Sequence, residues 1–178
     1  MRALKSLEEA NAVSAVRLTE KRRHAKVGDI FRLSPYAGVF LWGRLIKRAR
    51  FFGLKSDFNI VYIYDAMGPE RPALELMVPG NLIIGPVVVN NLGWFRGYWE
   101  ILASEPLRPR DVLDQHLFVR LWGTGSLDDY DIVDESGKTV DKRGIDRCLL
   151  SQSGVGNFNS VDWTLRSILL DRGLVPPE

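Results

Sequence analysis

The sequence predicts a mainly β protein of α+β class: a strongly bent antiparallel sheet, or a small SH3-like barrel, with a helix at each end. Three observations predict it. Between residues 27 and 140, apolar and polar residues alternate with a period of two in short runs rich in β-branched and aromatic side chains. Glycine and proline punctuate these runs at short intervals. Apolar residues recur at helical spacing mainly at the two ends. With 178 residues, 46% hydrophobic and 26% charged, the chain has the material for a real core and reads as one domain over 1–178. It divides into an N-terminal helix and basic connector at 1–25, a β-rich core at 26–145 and a C-terminal helix at 160–173.

Over residues 6–23, Leu7, Ala10, Val13, Ala15 or Val16, and Leu18 share a helical face, with Ser6 as the capping oxygen and Glu8 and Glu9 in the first turn. Lys21, Arg22, Arg23, His24 and Lys26 follow, and suit a helix C-terminus and solvated connector; the other reading is a phosphate-binding patch. Residues 27–33 and 39–46 then form a hairpin turned by Pro and Gly in 34–38. A third strand covers 60–64, a short helix 69–77 and a fourth strand 82–89, whose Gly85 and Pro86 require a bulge or an edge position. Strands at 93–102 and 117–122 come next. A late hairpin joins 130–133 to 139–140 through a turn at 135–138. Ser160 caps the last helix, Asp162 sits in its first turn, Leu165, Ile168 and Leu169 share its inner face, and Gly173 and Pro176 end it.

Composition removes several functions. Twenty-four basic and 22 acidic side chains leave a formal charge of +2, too weak a field for non-specific nucleic-acid binding. A single cysteine, Cys148, precludes an internal disulfide, and a cytoplasmic location is the expectation. Lys5, Glu8 and Glu9 stand where a signal peptide is apolar, and no apolar run nears the roughly 20 residues that span a bilayer. With only His24 and His116 beside Cys148, the usual Cys/His zinc sites cannot be assembled, and no cofactor is expected. Cys148 with His116 has no local motif of a nucleophilic pair and reads as a small core residue. The Gly-Thr-Gly-Ser run at 123–126 lacks the Lys-Ser/Thr ending of a P-loop and leads into acidic residues, so it reads as a turn.

Two clusters remain as candidate binding surfaces. Asp128, Asp129, Asp131, Asp134 and Glu135 form an acidic stretch without the mid-loop glycine and terminal glutamate of an EF-hand. Calcium, a solvated loop, and a contact surface for a basic partner are its three readings. The second cluster is Trp94, Phe95, Tyr98 and Trp99 around Arg96. On a strand, Trp94, Arg96 and Tyr98 point one way and Phe95 and Trp99 the other, with Gly97 able to bulge. One face is then core, and the other is either also core or an aromatic-plus-arginine patch of the kind that anchors interfaces.

Lys26-Val-Gly-Asp-Ile-Phe-Arg-Leu33, Val39-Phe-Leu-Trp-Gly-Arg-Leu45, Val61-Tyr-Ile-Tyr-Asp65 and Gly97-Tyr-Trp-Glu-Ile101 together resemble the immunity protein 26 family of bacterial polymorphic toxin systems. The resemblance covers roughly residues 26–134 and rests most on its opening pair of strands. It implies a mostly β cytoplasmic antidote that binds a toxin, an antitoxin in function, with no catalytic residues and no cofactor. Gly28, Asp29, Gly43 and Arg44 match the family pattern, and Asp29 paired with Arg44 across the hairpin explains them through folding alone.

Two functions follow. The first is an immunity protein that occludes a cognate toxin, with a nuclease as one form of that partner; its contacts are Asp128, Asp129, Asp131, Asp134, Glu135, Trp94, Arg96 and Tyr98. The second is an SH3-like barrel that binds or cleaves RNA through Arg44, Lys47, Arg48 and Arg50. Against it stand the near-neutral charge and the lack of a general base with an arginine partner.

Overall fold

The computed structural model describes residues 15–121, 130–143, 145, 150–152 and 155–174. Strands β1 (Asp29–Tyr36), β2 (Val39–Ala49), β3 (Phe58–Met67) and β4 (Leu82–Val89) form a meander, and β5 (Trp99–Ser104) returns to lie beside β1. The resulting sheet has the order β4-β3-β2-β1-β5 and is antiparallel throughout. A smaller sheet has the order β8-β7-β6-β9, from β6 (Phe118–Leu121), β7 (Tyr130–Val133), β8 (Thr139–Val140) and β9 (Ser151–Gln152). Its β6–β9 pairing is parallel. Neither sheet closes on itself among the described residues, so the mainly β character of the sequence reading holds and the SH3-like barrel does not.

The central strands β2 and β3 depart from the expected polar alternation because both of their faces are covered. Phe31, Leu33, Leu41, Leu45, Val61 and Ile63 pack on one side with Phe158, Val161, Leu165 and Leu169 of the C-terminal helix α2 (Phe158–Asp171). Ile30, Trp42, Ile46, Ile60, Tyr62 and Tyr64 pack on the other, where Phe118 of β6 and Val133 of β7 cover them. A sheet covered on both faces needs apolar side chains at successive positions. At β4 the expected edge position is met: Gly85 and Pro86 lie in a terminal strand whose pairing slips between Val61 and Ile63.

Two elements depart from expectation. Residues 15–27 are not helical; the segment is an extended strap, with Val16 N–H donating to Ser34 and Leu18 and Thr19 N–H to the Gly97 carbonyl. Ala25, 2% exposed, pins it to the core. The first part of the expected helix, 6–14, lies outside the described residues. Likewise the strand expected at 93–102 starts only at Trp99, because Leu92–Phe95 make one helical turn, α1, and Gly97 at φ 79° reverses the chain. A Cβ at Gly97 would stand 1.8 Å from the Thr19 carbonyl oxygen, so strap and turn require each other. The expected helix at 69–77 is reduced to a 3₁₀ turn at Leu74–Leu76.

The cap of the C-terminal helix lies three residues before the expected Ser160. Asn157 caps it, accepting from the N–H of Asn159 and Ser160, while the Ser160 hydroxyl accepts from the Asn157 N–H. The late hairpin is where the sequence put it, with the Asp134 carboxylate accepting from the Ser136 and Lys138 N–H groups across its turn.

Candidate partner-binding surface

Two networks of buried polar groups lie on the β6–β7 side of the large sheet. The first centres on Arg44, fully buried in β2. Its Nη1 donates to Asp111 Oδ2 at 2.9 Å, and its Nη2 donates to the carbonyls of Glu105 and Pro106, each at 2.9 Å. Arg108 closes the far side of the same carboxylate with its backbone N–H at 3.0 Å and its guanidinium at 3.0–3.2 Å. Burial pushes the Asp111 carboxyl up, but the Arg108 and Arg44 donors outweigh it and hold it below the ordinary carboxylate range. Arg44 therefore does not pair with Asp29, whose carboxylate accepts from the Lys26 N–H instead. The guanidinium is a tie between β2 and the 105–111 loop, with no face left for RNA.

Glycines of the family-like motif have equally structural reasons. A Cβ at Gly43 would lie 2.4 Å from the Phe31 ring, and one at Gly28, which sits at φ 91°, would lie 2.4 Å from the Glu105 carbonyl oxygen.

The second network joins the two sheets. Tyr62 of β3 accepts from the Leu113 N–H at 3.0 Å, so its single hydroxyl proton points to His116 Nε2 at 2.7 Å. That leaves a proton on His116 Nδ1, which donates to Glu135 Oε1 at 2.6 Å, and Lys47 binds the other carboxylate oxygen at 2.6 Å. Burial pushes the Tyr62 hydroxyl up to about 12 and lowers His116, with Glu135 opposing part of that drop. Glu135 is raised by burial, yet Lys47 and His116 bring it below its ordinary value. His116 is 4% exposed and holds no open side toward a substrate.

A pH dependence follows from His116. Its folded pKa lies below its unfolded value of about 6.5, so the neutral ring stabilises the fold fully above that pH and the contribution is lost as pH falls toward the folded pKa. Denaturant unfolding measured between pH 8 and 5 is expected to show stability that is level down to about 6.5 and declines below it. His116→Gln should flatten the decline. The lowered carboxyl of Glu135 acts only below about 4.3, so the two groups separate on the pH axis.

The structure scatters the residues singled out as contacts. Trp94 is 1% exposed and packs edge-on to Phe31 and Trp99, with centroids 5.3 and 4.8 Å away; it fills the core and presents no surface. Tyr98 stacks on Phe158 at 4.3 Å, and Arg96, exposed, reaches over the same ring. Trp94, Arg96 and Tyr98 do not form one patch, because a helical turn and Gly97 replace the strand that would have aligned them. Asp131 bridges Arg120 at 3.2 Å, Asp134 holds its own turn, and Glu135 belongs to the His116 network. Asp128 and Asp129 lie outside the described residues, as do Cys148 and the 123–126 run. Of the basic residues proposed for RNA, Lys47 is bound to Glu135 and Arg50 lies 3.8 Å from Asp57.

What the sequence reading missed lies along the strap. Lys21, Arg22, Arg23 and Lys26 are exposed and form no ion pair among the described residues. Arg22 sits 5.1 Å over the exposed Phe95 ring. Arg23, His24, Lys26 and Asp29 line a shallow cleft of about 380 Å³ whose floor is Ile101, Leu102, Ala103 and Ser104 of β5. The charge run was visible in the sequence; its extended conformation was not. Trp163, Leu170 and Leu174 form a second exposed apolar group on α2 and just beyond it, with Trp163 55% exposed.

No helix among the described residues is long and apolar enough to cross a membrane. The model of the family described as immunity protein 26 matches residues 26–121, more than half the chain, from just before β1 through β6. No curated protein and no solved structure matches.

Proposed function

Since the chain belongs to the immunity protein 26 family, we propose that it acts without catalysis, by binding a cognate toxin in the bacterial cytoplasm and neutralising it there. The observation that carries this reading is the extent of the match, which takes in all five strands of the large sheet and the Arg44–Asp111 tie. The internal geometry fits an inert binder. The titratable groups of the Arg44 and His116 networks face each other rather than a cleft, and the His116 ring has both nitrogens engaged. Such networks fix a surface; they do not turn over a substrate. A toxin of a polymorphic system, a nuclease among the forms it takes, is the partner this reading names.

Growth rescue tests it. The toxin encoded beside this gene is expressed with and without this protein, and the pair is then passed over a sizing column. Restored growth with a stable one-to-one complex supports the reading; continued arrest with no complex rejects it. Toxicity from this chain alone, with degraded RNA, would replace it by the RNA-acting alternative.

A further inference from the structure

We infer that the outer edge of β5, together with the cationic strap beside it, receives an extended acidic segment of the toxin as an added β-strand. The inference rests on the toxin-binding reading above and names its surface and the chemistry of its partner. The large sheet has two terminal strands, and they differ. Along β4, Pro86 removes a donor, and Gly156 already pairs beside it, its N–H donating to the Val88 carbonyl. β5 carries no proline and no lysine, and its partner on one side is β1; on the other side no described residue pairs with it. A row of unsatisfied strand donors and acceptors is a template for another chain.

The side chains around that edge define what would fit. Between Ile30 and Phe31 the β1–β5 register slips by one, so Leu102 faces no partner and stands 46% exposed in the cleft. It offers an apolar contact midway along the strand. Arg23 and Lys26 line the same cleft and Lys21 and Arg22 continue the charge along the strap, none of them in an ion pair with an acid among the described residues. The acids of this region are already engaged: Glu100 with Arg32 at 2.8 Å, Glu105 with Arg71 at 3.3 Å, and Asp29 with the Lys26 N–H. A strand entering here meets positive charge, so carboxylates spaced along it are favoured. A nucleic-acid backbone matches the charge but not the edge, since its phosphates accept hydrogen bonds and leave the β5 carbonyls unanswered.

Three full-length proteins test this against the co-expressed neighbouring toxin: the natural chain, Arg23→Glu with Lys26→Glu, and Leu102→Glu. All three positions are exposed, and an unchanged melting temperature checks that each variant is folded. Both variants are expected to weaken toxin binding by about tenfold or more at low salt, and the deficit of the charge-reversed protein should narrow as salt is raised. Amide hydrogen exchange across 99–104 should slow in the natural complex. A complex that forms equally with all three proteins, with exchange of 99–104 unchanged, overturns the inference and leaves the toxin-binding reading standing. No complex with the natural chain overturns both. Capture of a single-stranded RNA oligonucleotide that is lost in the charge-reversed protein while toxin binding is kept assigns the strap to nucleic acid and also overturns it.

Discussion

Replacing Asp111 with alanine is expected to lower the unfolding free energy by about 3 kcal/mol, read as a shift of the urea midpoint with little change in slope. The carboxylate is fully buried and receives donors from both Arg44 and Arg108. Without it, Arg44 keeps its two carbonyl acceptors but no counter-charge, and an unpaired buried cation is far costlier than an absent pair. The loss falls at the lower end of the range for buried ion pairs because Arg108, itself partly exposed, lets water approach from that side. The double variant Arg44→Met with Asp111→Leu should lose less than Asp111→Ala alone, because it leaves no charge behind. Equal or greater loss in the double variant would show that the two carbonyl contacts, not the charges, hold the loop.

Trp94→Ala is expected to cost about 3–5 kcal/mol, the range for truncating a large buried aromatic. The indole is enclosed by Phe31 and Trp99, which themselves stack at 5.0 Å, and the cavity it leaves is bounded by rings that cannot close in without disturbing β1 and β5. Thermal unfolding followed by tryptophan fluorescence measures it. If Trp94 instead served a partner surface, its removal would weaken complex formation and leave stability nearly unchanged.

That contrast marks where sequence reasoning reached its limit. The strands were legible because β-branched and aromatic runs between turn residues have few other uses; β4, with Gly85 and Pro86 at an edge, was read almost to the residue. The 93–102 segment was not, because Trp94 and Phe95 have strand propensity while Gly93 and Gly97 permit the turn that the strap stabilises from 78 and 79 residues away. Likewise the strap itself has the apolar spacing of a helix. Its backbone is held extended by the carbonyls of Ser34 and Gly97, contacts that no local pattern encodes. Of the proposed docking edge, the charge run at 21–26 was on view from the start. Its placement beside an open strand edge depended on β5 crossing back to β1, a topological fact invisible to periodicity. What composition could not reveal of the acidic stretch is that Asp131, Asp134 and Glu135 each have nearby internal donors.

The Arg44 tie also sets an order on synthesis. Its acceptors lie 61 to 67 residues further along the chain, so at a translation rate of about 5–20 residues per second β2 emerges roughly 3–13 s before they do. Once β3 and β4 have followed in the later part of that interval, the β1–β4 meander carries a bare cation among Trp42, Tyr62 and Tyr64, on a face otherwise apolar enough to associate with other nascent chains. The charge keeps that face hydrated until residues 105–111 arrive, and the same contact that then neutralises it delivers β5 to β1.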